Sequence, residues 1–319
     1  MPAQREPAPN RAPGCPLPAV VANPSNVNDV ARLRTQITRV CRDLGWADPL
    51  WLETTVDDPG GGQAKAALAA GADVVLACGG DGTVRQVAEI LAGSGTAMGL
   101  LPTGTANLLA RNLSIPLDDT TRAARIALSG EIRQIDVGWV SFDQGEERVF
   151  LVMAGMGFDA AIMAGAHHTS KSRLGSLAYF VSGVRAGVRA LNEQRVRIVL
   201  AVDGRPELHR EVRTVVVGNC GKLLAGLVLM PGAKVDDGLL DVVTIAPKSV
   251  MGWMGVTARV LSRRPSGHRI VQHWQGRTVS VIAEEPEQAQ LDGDPVGDVQ
   301  MLRMRVDKGA LLVRVRGPR

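Results

Sequence analysis

Apolar residues in the first 130 positions follow two alternating rhythms. Runs of apolar residues at 17–22, 73–78 and 98–101 read as short strands buried on both faces, and 50–53 adds another. Between them apolar residues recur every three or four positions. Val30, Leu33, Ile37, Val40 and Leu44 mark a helix over about 27–44. An Ala-rich helix follows Gly60, Gly61 and Gly62 and stops at Gly71, a glycine suited to a C-terminal cap. Further helices are predicted over 83–91, 105–112 and 120–129. Repeated β-α units of this kind predict a mostly parallel sheet with helices on both faces.

After about residue 132 the rhythm changes. Strand-like runs follow one another at 132–140, 148–153, 196–202, 212–217, 239–245, 278–283, 288–291 and 299–306. Two helical stretches, 174–191 and 250–261, interrupt them. The pattern predicts a second, mostly antiparallel β domain of the sandwich type. The expected fold class is therefore α/β plus all-β. A three-layer α/β domain over 17–131 is followed by a β-sandwich over 132–307, behind a disordered tail at 1–16. The last strand, 310–315, can return to either domain, and a return to the first would add 308–316 to it.

Composition narrows the function classes. The 319 residues suffice for two domains, and 45% hydrophobic with 21% charged residues excludes wholesale disorder. Aromatics are 3%, which argues against stacking single-stranded nucleic acid on aromatic platforms. The net charge of +4 suits anionic partners without choosing among them. Cys15, Cys41, Cys78 and Cys220 form no C-x-x-C pair, so a reducing cytoplasm fits better than a disulfide framework or a zinc site. His167 and His168 lack acidic neighbours at metal-ligand spacing and read as ordinary polar residues. Met1 to Pro16 has no apolar core of a secretory signal, and no apolar run reaches the length of about 18 needed to span a bilayer. Any membrane contact is expected to be peripheral.

The chemistry gathers at two glycine turns. Gly79-Gly80-Asp81-Gly82-Thr83 follows a buried strand and opens a helix, where free N–H groups and the positive dipole end suit phosphate. Thr83 is placed to cap that helix or to touch a phosphate, and Asp81 lies at the carboxyl end of a parallel strand, where ligands bind in open α/β sheets. Pro102-Thr103-Gly104-Thr105-Ala106-Asn107 repeats the arrangement one strand later. Each turn alone reads equally well as a capped helix start.

Together, the segments 77–84 and 101–112 closely resemble the soluble bacterial diacylglycerol kinase-like lipid kinases, relatives of sphingosine kinases. The likeness continues, in order, through Gly155–Ala160, Gly175–Tyr179, Pro231–Asp241 and Leu291-Asp292-Gly293-Asp294. It implies an NAD kinase/diacylglycerol kinase-like first domain, ATP and Mg²⁺ as cofactors, a lipid hydroxyl as acceptor and a place in phospholipid metabolism. By position, the nucleotide site takes Gly79, Gly80, Asp81, Gly82, Thr83, Val84, Arg85 and Gln86, with Thr105 and Asn107 from the second turn. Asn23 after the first strand and either Thr54 or Thr55 after the second join it. The resemblance assigns Lys234, Asp237 and Leu239 to a Mg²⁺ loop, which would otherwise read as a polar turn, and Asp294 to the general base. The family commonly has Glu at the last position. An Asp-Gly pair is also a common hairpin turn.

Two other glycine patterns count for less. Gly155-Met156-Gly157-Phe158-Asp159-Ala160 fits the dinucleotide pattern but has no acid about 20 residues on, and Gly218-Asn219-Cys220-Gly221-Lys222 lacks P-loop spacing. Lys171, Arg173, Arg185 and Arg189 bracket one apolar helix, and Arg259, Arg263, Arg264 and Arg269 gather near another. Such clusters suit either an anionic membrane surface or solvent. The expected partners are thus a lipid substrate and an anionic membrane touched peripherally from the cytoplasm. Nucleic acid is not expected, and a homodimer is left open. The rival readings are an NAD kinase, a sphingoid lipid kinase and a non-catalytic lipid- or nucleotide-binding protein.

Overall fold

The computed structural model describes residues 14–157, 195–221, 230–246 and 271–317. The chain forms two units, Met1–Ile135 with Ala310–Arg319, and Asp136–Gly309. The helices expected over 174–191 and 250–261 lie outside the described residues, with the histidine pair and both basic clusters. So do residues 1–13 of the expected tail, Phe158-Asp159-Ala160 and Lys222.

In the first unit β1 (Pro18–Ala22), β2 (Leu50–Glu53), β3 (Val74–Gly79) and β4 (Ala97–Pro102) form a parallel sheet in the order β4-β3-β1-β2. Every residue of β1, β3 and β4 is buried, as the unbroken apolar runs require of strands covered on both faces. The helices are α1 (Val30–Asp43), α2 (Gly61–Ala69), α3 (Asp81–Leu91), α4 (Leu108–Asn112) and α5 (Thr120–Ser129). The Asp29 carboxylate caps α1 by accepting from Arg32 N–H at 2.8 Å, and Asp119 caps α5 through Arg122 N–H at 2.9 Å. Asp58 does the same for α2 from outside the helix, accepting from Gly62 N–H at 2.9 Å. No helix among the described residues is long and apolar enough to cross a membrane.

The second unit begins within β5 (Glu131–Phe142) and ends within β14 (Asp294–Val315). Between them run β6 (Arg148–Phe150), β7 (Met153–Met156), β8 (Val196–Val202), β9 (Leu208–Val212), β10 (Thr214–Gly218), β11 (Leu240–Ile245), β12 (Val271–Gly276) and β13 (Thr278–Leu291). The pairings β5–β6, β7–β10, β7–β13, β8–β9, β8–β13, β10–β11, β11–β12 and β13–β14 are antiparallel. The early part of β13 pairs with β8, from Val279↔Val202 to Ala283↔Ile198. Its last residues pair with β7, from Ala289↔Met156 to Leu291↔Ala154. A register shift between Ile282 and Glu287 lets one strand serve both layers of the sandwich. Leu200, Val281 and Leu302 meet Val215, Val217 and Val242 in the core between the layers.

Several element boundaries differ from the sequence expectation. The strands expected at 278–283 and 288–291 are one long strand, as are those at 299–306 and 310–315; polar residues such as Glu284, Glu285, Asp307 and Lys308 at the joins mask the continuity in the sequence. The end of β14 pairs in parallel with β4 at Val313↔Met98, within the first unit. β12 and β9 were not legible, since alternating Gln, His and Glu positions hide their period. The helix expected over 105–112 shrinks to α4, because Asn107 adopts a left-handed conformation with φ 48°. The helix expected over 27–44 starts at Val30, after a short 3₁₀ turn at Pro24–Asn26.

Candidate active site

In the first unit the strands end level with one another. Asn23 N–H donates to Cys78 O at 2.8 Å, and Thr54 N–H donates to Ala22 O at 2.8 Å. Asn23, Thr54, the turn after β3 and the turn after β4 therefore share one edge of the sheet, the carboxyl edge at which α/β proteins bind ligands. Thr54 is buried on that edge, whereas Thr55 is exposed and its hydroxyl accepts from Asp58 N–H at 3.1 Å. Asn23 donates from Nδ2 to the Thr83 hydroxyl at 3.4 Å and accepts from the Ser25 hydroxyl and amide through Oδ1.

The two glycine turns touch through their backbones. A Cβ on Gly104 would collide with Gly80 Cα, and a Cβ on Gly79 would stand 2.6 Å from Thr83 Cβ. Those two glycines are therefore demanded by packing. Gly80 is different. Its φ of −89° is open to any residue, and the nearest atoms to an added Cβ are 3.5 Å away. Neither strain nor crowding explains a glycine there, and the space it leaves adjoins the first amides of α3. Gly80 is also the cap residue of α3 and offers no side-chain acceptor to those amides. The helix start thus combines free room, N–H donors and a positive dipole end.

Two sequence expectations change in this region. Thr83 is not the cap; it lies within the first turn of α3 and is buried. Asp81, expected only as an acid at the carboxyl end of a strand, also ties the two turns together. Its Oδ1 accepts from Leu108 N–H at 2.6 Å and so caps α4 from the neighbouring turn. Asn107, 6% exposed, donates from Nδ2 to Gly104 O at 2.6 Å and shapes the second turn rather than reaching out of it. Thr105 is exposed, Gln86 is half-buried, and Val84 and Arg85 are buried in α3. Cys78, at the end of β3, has its thiol pushed up to about 12 by burial, against a smaller opposite pull from a hydrogen bond with Thr103. It stays protonated and is no nucleophile.

In the second unit, Asp292 and Gly293 form the two-residue turn of the β13–β14 hairpin, with Leu291 paired to Asp294. Both have positive φ, 50° and 95°, the signature of a type I′ turn. The hairpin reading of the Asp-Gly pair is therefore right for Asp292, which is 5% exposed. Its carboxylate accepts from three successive amides, Leu151 at 3.0 Å, Val152 at 2.8 Å and Met153 at 3.0 Å. Those amides break the strand expected at 148–153 into β6 and β7. Asp294 follows the turn and is half-buried.

Asp237 stands on the loop before β11. Its Oδ1 accepts from Leu239 N–H at 3.0 Å, Lys234 is exposed and Leu239 is half-buried. Beneath the loop lies a residue that sequence reasoning missed. Asp136, fully buried, accepts from Gly238 N–H at 2.6 Å and from Gly309 N–H at 2.8 Å, while its own amide donates to Val235 O at 2.7 Å. Asn219 Nδ2 donates to Asp136 O at 2.8 Å. The only sequence signal was an acid in the middle of an apolar strand. No group of three or more His, Cys, Asp or Glu side chains among the described residues is arranged to hold a metal. The loop instead offers one carboxylate with backbone carbonyls, a hard-oxygen set that fits Mg²⁺ with retained water.

The glycines of the dinucleotide-like pattern serve packing. Gly155 lies inside β7, where a Cβ would collide with Val215 O, and Gly157 lies against Arg213 O.

Comparison with known proteins finds two family domains in succession. Residues 19–140 match the diacylglycerol kinase catalytic domain, and residues 152–315 match the YegS C-terminal NAD kinase β-sandwich-like domain. A protein of Pseudomonas aeruginosa named "Probable lipid kinase YegS-like" is 36% identical over 257 residues, 78% of each chain. A "Diacylglycerol kinase" of Mycobacterium tuberculosis is 33% identical over 177 residues, 56% of each chain. Among solved structures, a putative diacylglycerol kinase from Bacillus anthracis superposes with a TM-score of 0.72 at 22% identity, covering 94% of this chain and 97% of the other, a likeness of fold. With two glycine turns on one sheet edge and both family domains in sequence, the chain belongs to the diacylglycerol kinase catalytic domain family, in the form that carries a YegS-type β-sandwich.

Proposed function

We propose that the protein is an ATP-dependent lipid kinase that phosphorylates the hydroxyl of a diacylglycerol-like lipid, yielding the phosphatidic acid and ADP. The observation that carries this reading is Gly80, a glycine that neither backbone strain nor packing requires, at the start of α3, where the cap residue lends the helix no side-chain acceptor. The relatives named as lipid and diacylglycerol kinases supply the acceptor class.

In this reading the amides at the start of α3 bind the phosphates of ATP, flanked by Thr83, Asn23 and Thr54. Thr105, exposed on the second turn, adds a hydroxyl. Asp81 holds the second turn against the first through Leu108 N–H. Asp294 takes the proton from the acceptor hydroxyl as its oxygen bonds to the γ-phosphorus and the bond to the ADP oxygen breaks. Lys234 O, Asp237 and Leu239 O would hold Mg²⁺, which supplies charge neutralisation for phosphate chemistry when bound. Asp294 in place of the commoner Glu keeps a carboxylate, one methylene shorter. The protein works at the cytoplasmic face of an anionic membrane, bound peripherally.

The deciding experiment incubates the purified protein with labelled ATP, Mg²⁺ and separate vesicles containing diacylglycerol, phosphatidylglycerol, sphingosine or ceramide. Label is expected in the diacylglycerol product. ATP binding without label in any lipid would sink the kinase reading in favour of a non-catalytic binder. Label only in a sphingoid lipid would replace the acceptor.

A further inference from the structure

We propose that Asp292 and Gln290 are positioning residues that aim the turn bearing Asp294, a role that rests on Asp294 being the base. Three observations within the second unit point to it. The Asp292 carboxylate is almost wholly buried yet is matched to three amides in a row, at 2.8 to 3.0 Å. A carboxylate whose two oxygens are taken up by three amides serves as an acceptor within the fold, which suits it to holding a loop rather than to moving a proton during turnover. Its own amide closes the loop by donating to Met153 O at 2.8 Å.

The second observation is on the other side of the turn. Gln290, 6% exposed, accepts through Oε1 from Gly293 N–H at 2.8 Å. The residue before Asp294 is thereby fixed by a side chain from β13, and the one before that by the segment 151–153. A two-residue I′ turn would form from Asp-Gly without either bond. The extra bonds therefore do more than make the turn; they orient it.

The third is that segment 151–153 is itself fixed. Asn219 N–H donates to Val152 O at 2.9 Å, and the Cys220 thiol lies 3.3 Å from Leu151 O. Asn219, 1% exposed, also donates to Asp136 O. The anchor that holds Asp292 is thus braced by the two residues that follow β10 and by the start of the unit. Precise aim matters because a misplacement of about 1 Å costs about 10²-fold in rate.

The test is a double-mutant cycle on the full chain, using ATP, Mg²⁺ and diacylglycerol vesicles. Asp292→Asn keeps the size and tolerates the left-handed turn but weakens the grip on the three amides. We expect kcat to fall by about 10- to 100-fold, with KM for ATP and ATP-binding stoichiometry unchanged. We expect Asp292→Asn/Asp294→Asn to turn over no more slowly than Asp294→Asn alone, because an aiming residue has nothing left to aim. Gln290→Met should behave alike with a smaller loss, and it carries the same cycle should Asp292→Asn fail to fold. Wild-type kcat in both single variants, or losses that multiply in the double variants, would overturn the proposal while leaving the base intact. Wild-type turnover by Asp294→Asn would remove the base and the positioning role together.

Discussion

The two units build their functional edges from opposite materials. In the first, the edge is backbone. Gly80 and Gly104 meet atom to atom, and one carboxylate, Asp81, ties the two turns. In the second, buried carboxylates do the holding. Asp292 gathers three amides and Asp136 gathers two, each from segments more than a hundred residues away in sequence. A backbone-built site fails when a side chain is added. A carboxylate-built site fails when one is neutralised. The mutations that separate these two designs differ accordingly.

The largest effect is expected in the second unit. Asp294→Asn keeps size and turn shape but removes the proposed proton acceptor. It should lower kcat by about 10²- to 10⁴-fold, the range for losing a positioned base, with ATP affinity near wild type. Asp294→Glu should retain measurable turnover. Steady-state kinetics on diacylglycerol vesicles, with ATP binding by calorimetry, read both. Loss of ATP binding in Asp294→Asn would move this residue into the nucleotide site and erase the contrast.

Next come two glycine substitutions that look alike and should differ. Gly80→Ala fits the local packing, with its nearest neighbours at 3.5 Å. It should leave the melting temperature within a few degrees and weaken ATP binding at least about tenfold, a cost of about 1.4 kcal/mol. Gly104→Ala pushes a methyl into Gly80 Cα, so it should destabilise the fold by about 1–3 kcal/mol, as overpacking does. A stable Gly104→Ala, or a Gly80→Ala that binds ATP normally, would break the backbone account of the edge.

How much of this was legible in the sequence follows from the same contrast. The first unit could be read because glycine, strand and helix signals lie side by side in the chain, and each turn is complete within about eight residues. The parallel sheet and both turns appeared where the periodicity put them. The side-chain tie from Asp81 to Leu108 did not, because it joins residues 27 apart. In the second unit the strands were largely legible, but Asp136, Asn219 and Asp292 acquire their roles only when distant loops arrive. Asp292 was visible as a turn residue and invisible as an anchor. The break at Leu151 and Val152 had the same cause, since an apolar run carries no sign that a carboxylate from the far end of the chain will take its amides.

Asp81→Asn should have a smaller effect on stability. The substitution keeps an acceptor for Leu108 N–H but loses the charge on that cap, so about 1 kcal/mol is expected from chemical denaturation. ATP affinity should fall with it, because the second turn is no longer held as firmly. An unchanged stability with lost ATP binding would instead place Asp81 wholly on the ligand side.

The smallest effect concerns a buried carboxylate that braces nothing. Asp241 in β11 is 1% exposed; Gln275 Nε2 donates to its Oδ1 at 3.0 Å, but its Oδ2 has no hydrogen-bond partner among the described residues. His273 Nε2 stands 3.8 Å from Oδ1. Burial pushes the carboxyl up to about 6, the Gln275 bond pulls it down, and the Asp237 charge raises it further. A folded value above the unfolded one means that the native state holds this proton more tightly. Its contribution to stability is then complete below about 4 and is lost as the pH rises through about 6. Asp241→Asn keeps the oxygen that faces Gln275 and removes the buried charge. In metal-free buffer the variant should therefore melt higher than wild type at pH 7.5, with the gap closing towards pH 4.5. If it melts lower at pH 7.5, Asp241 is held as an ion pair by His273, and a carboxylate can be useful in this unit without bracing a loop. The expected result would instead leave Asp136 and Asp292 as the useful buried carboxylates of these three, since their oxygens accept from backbone amides.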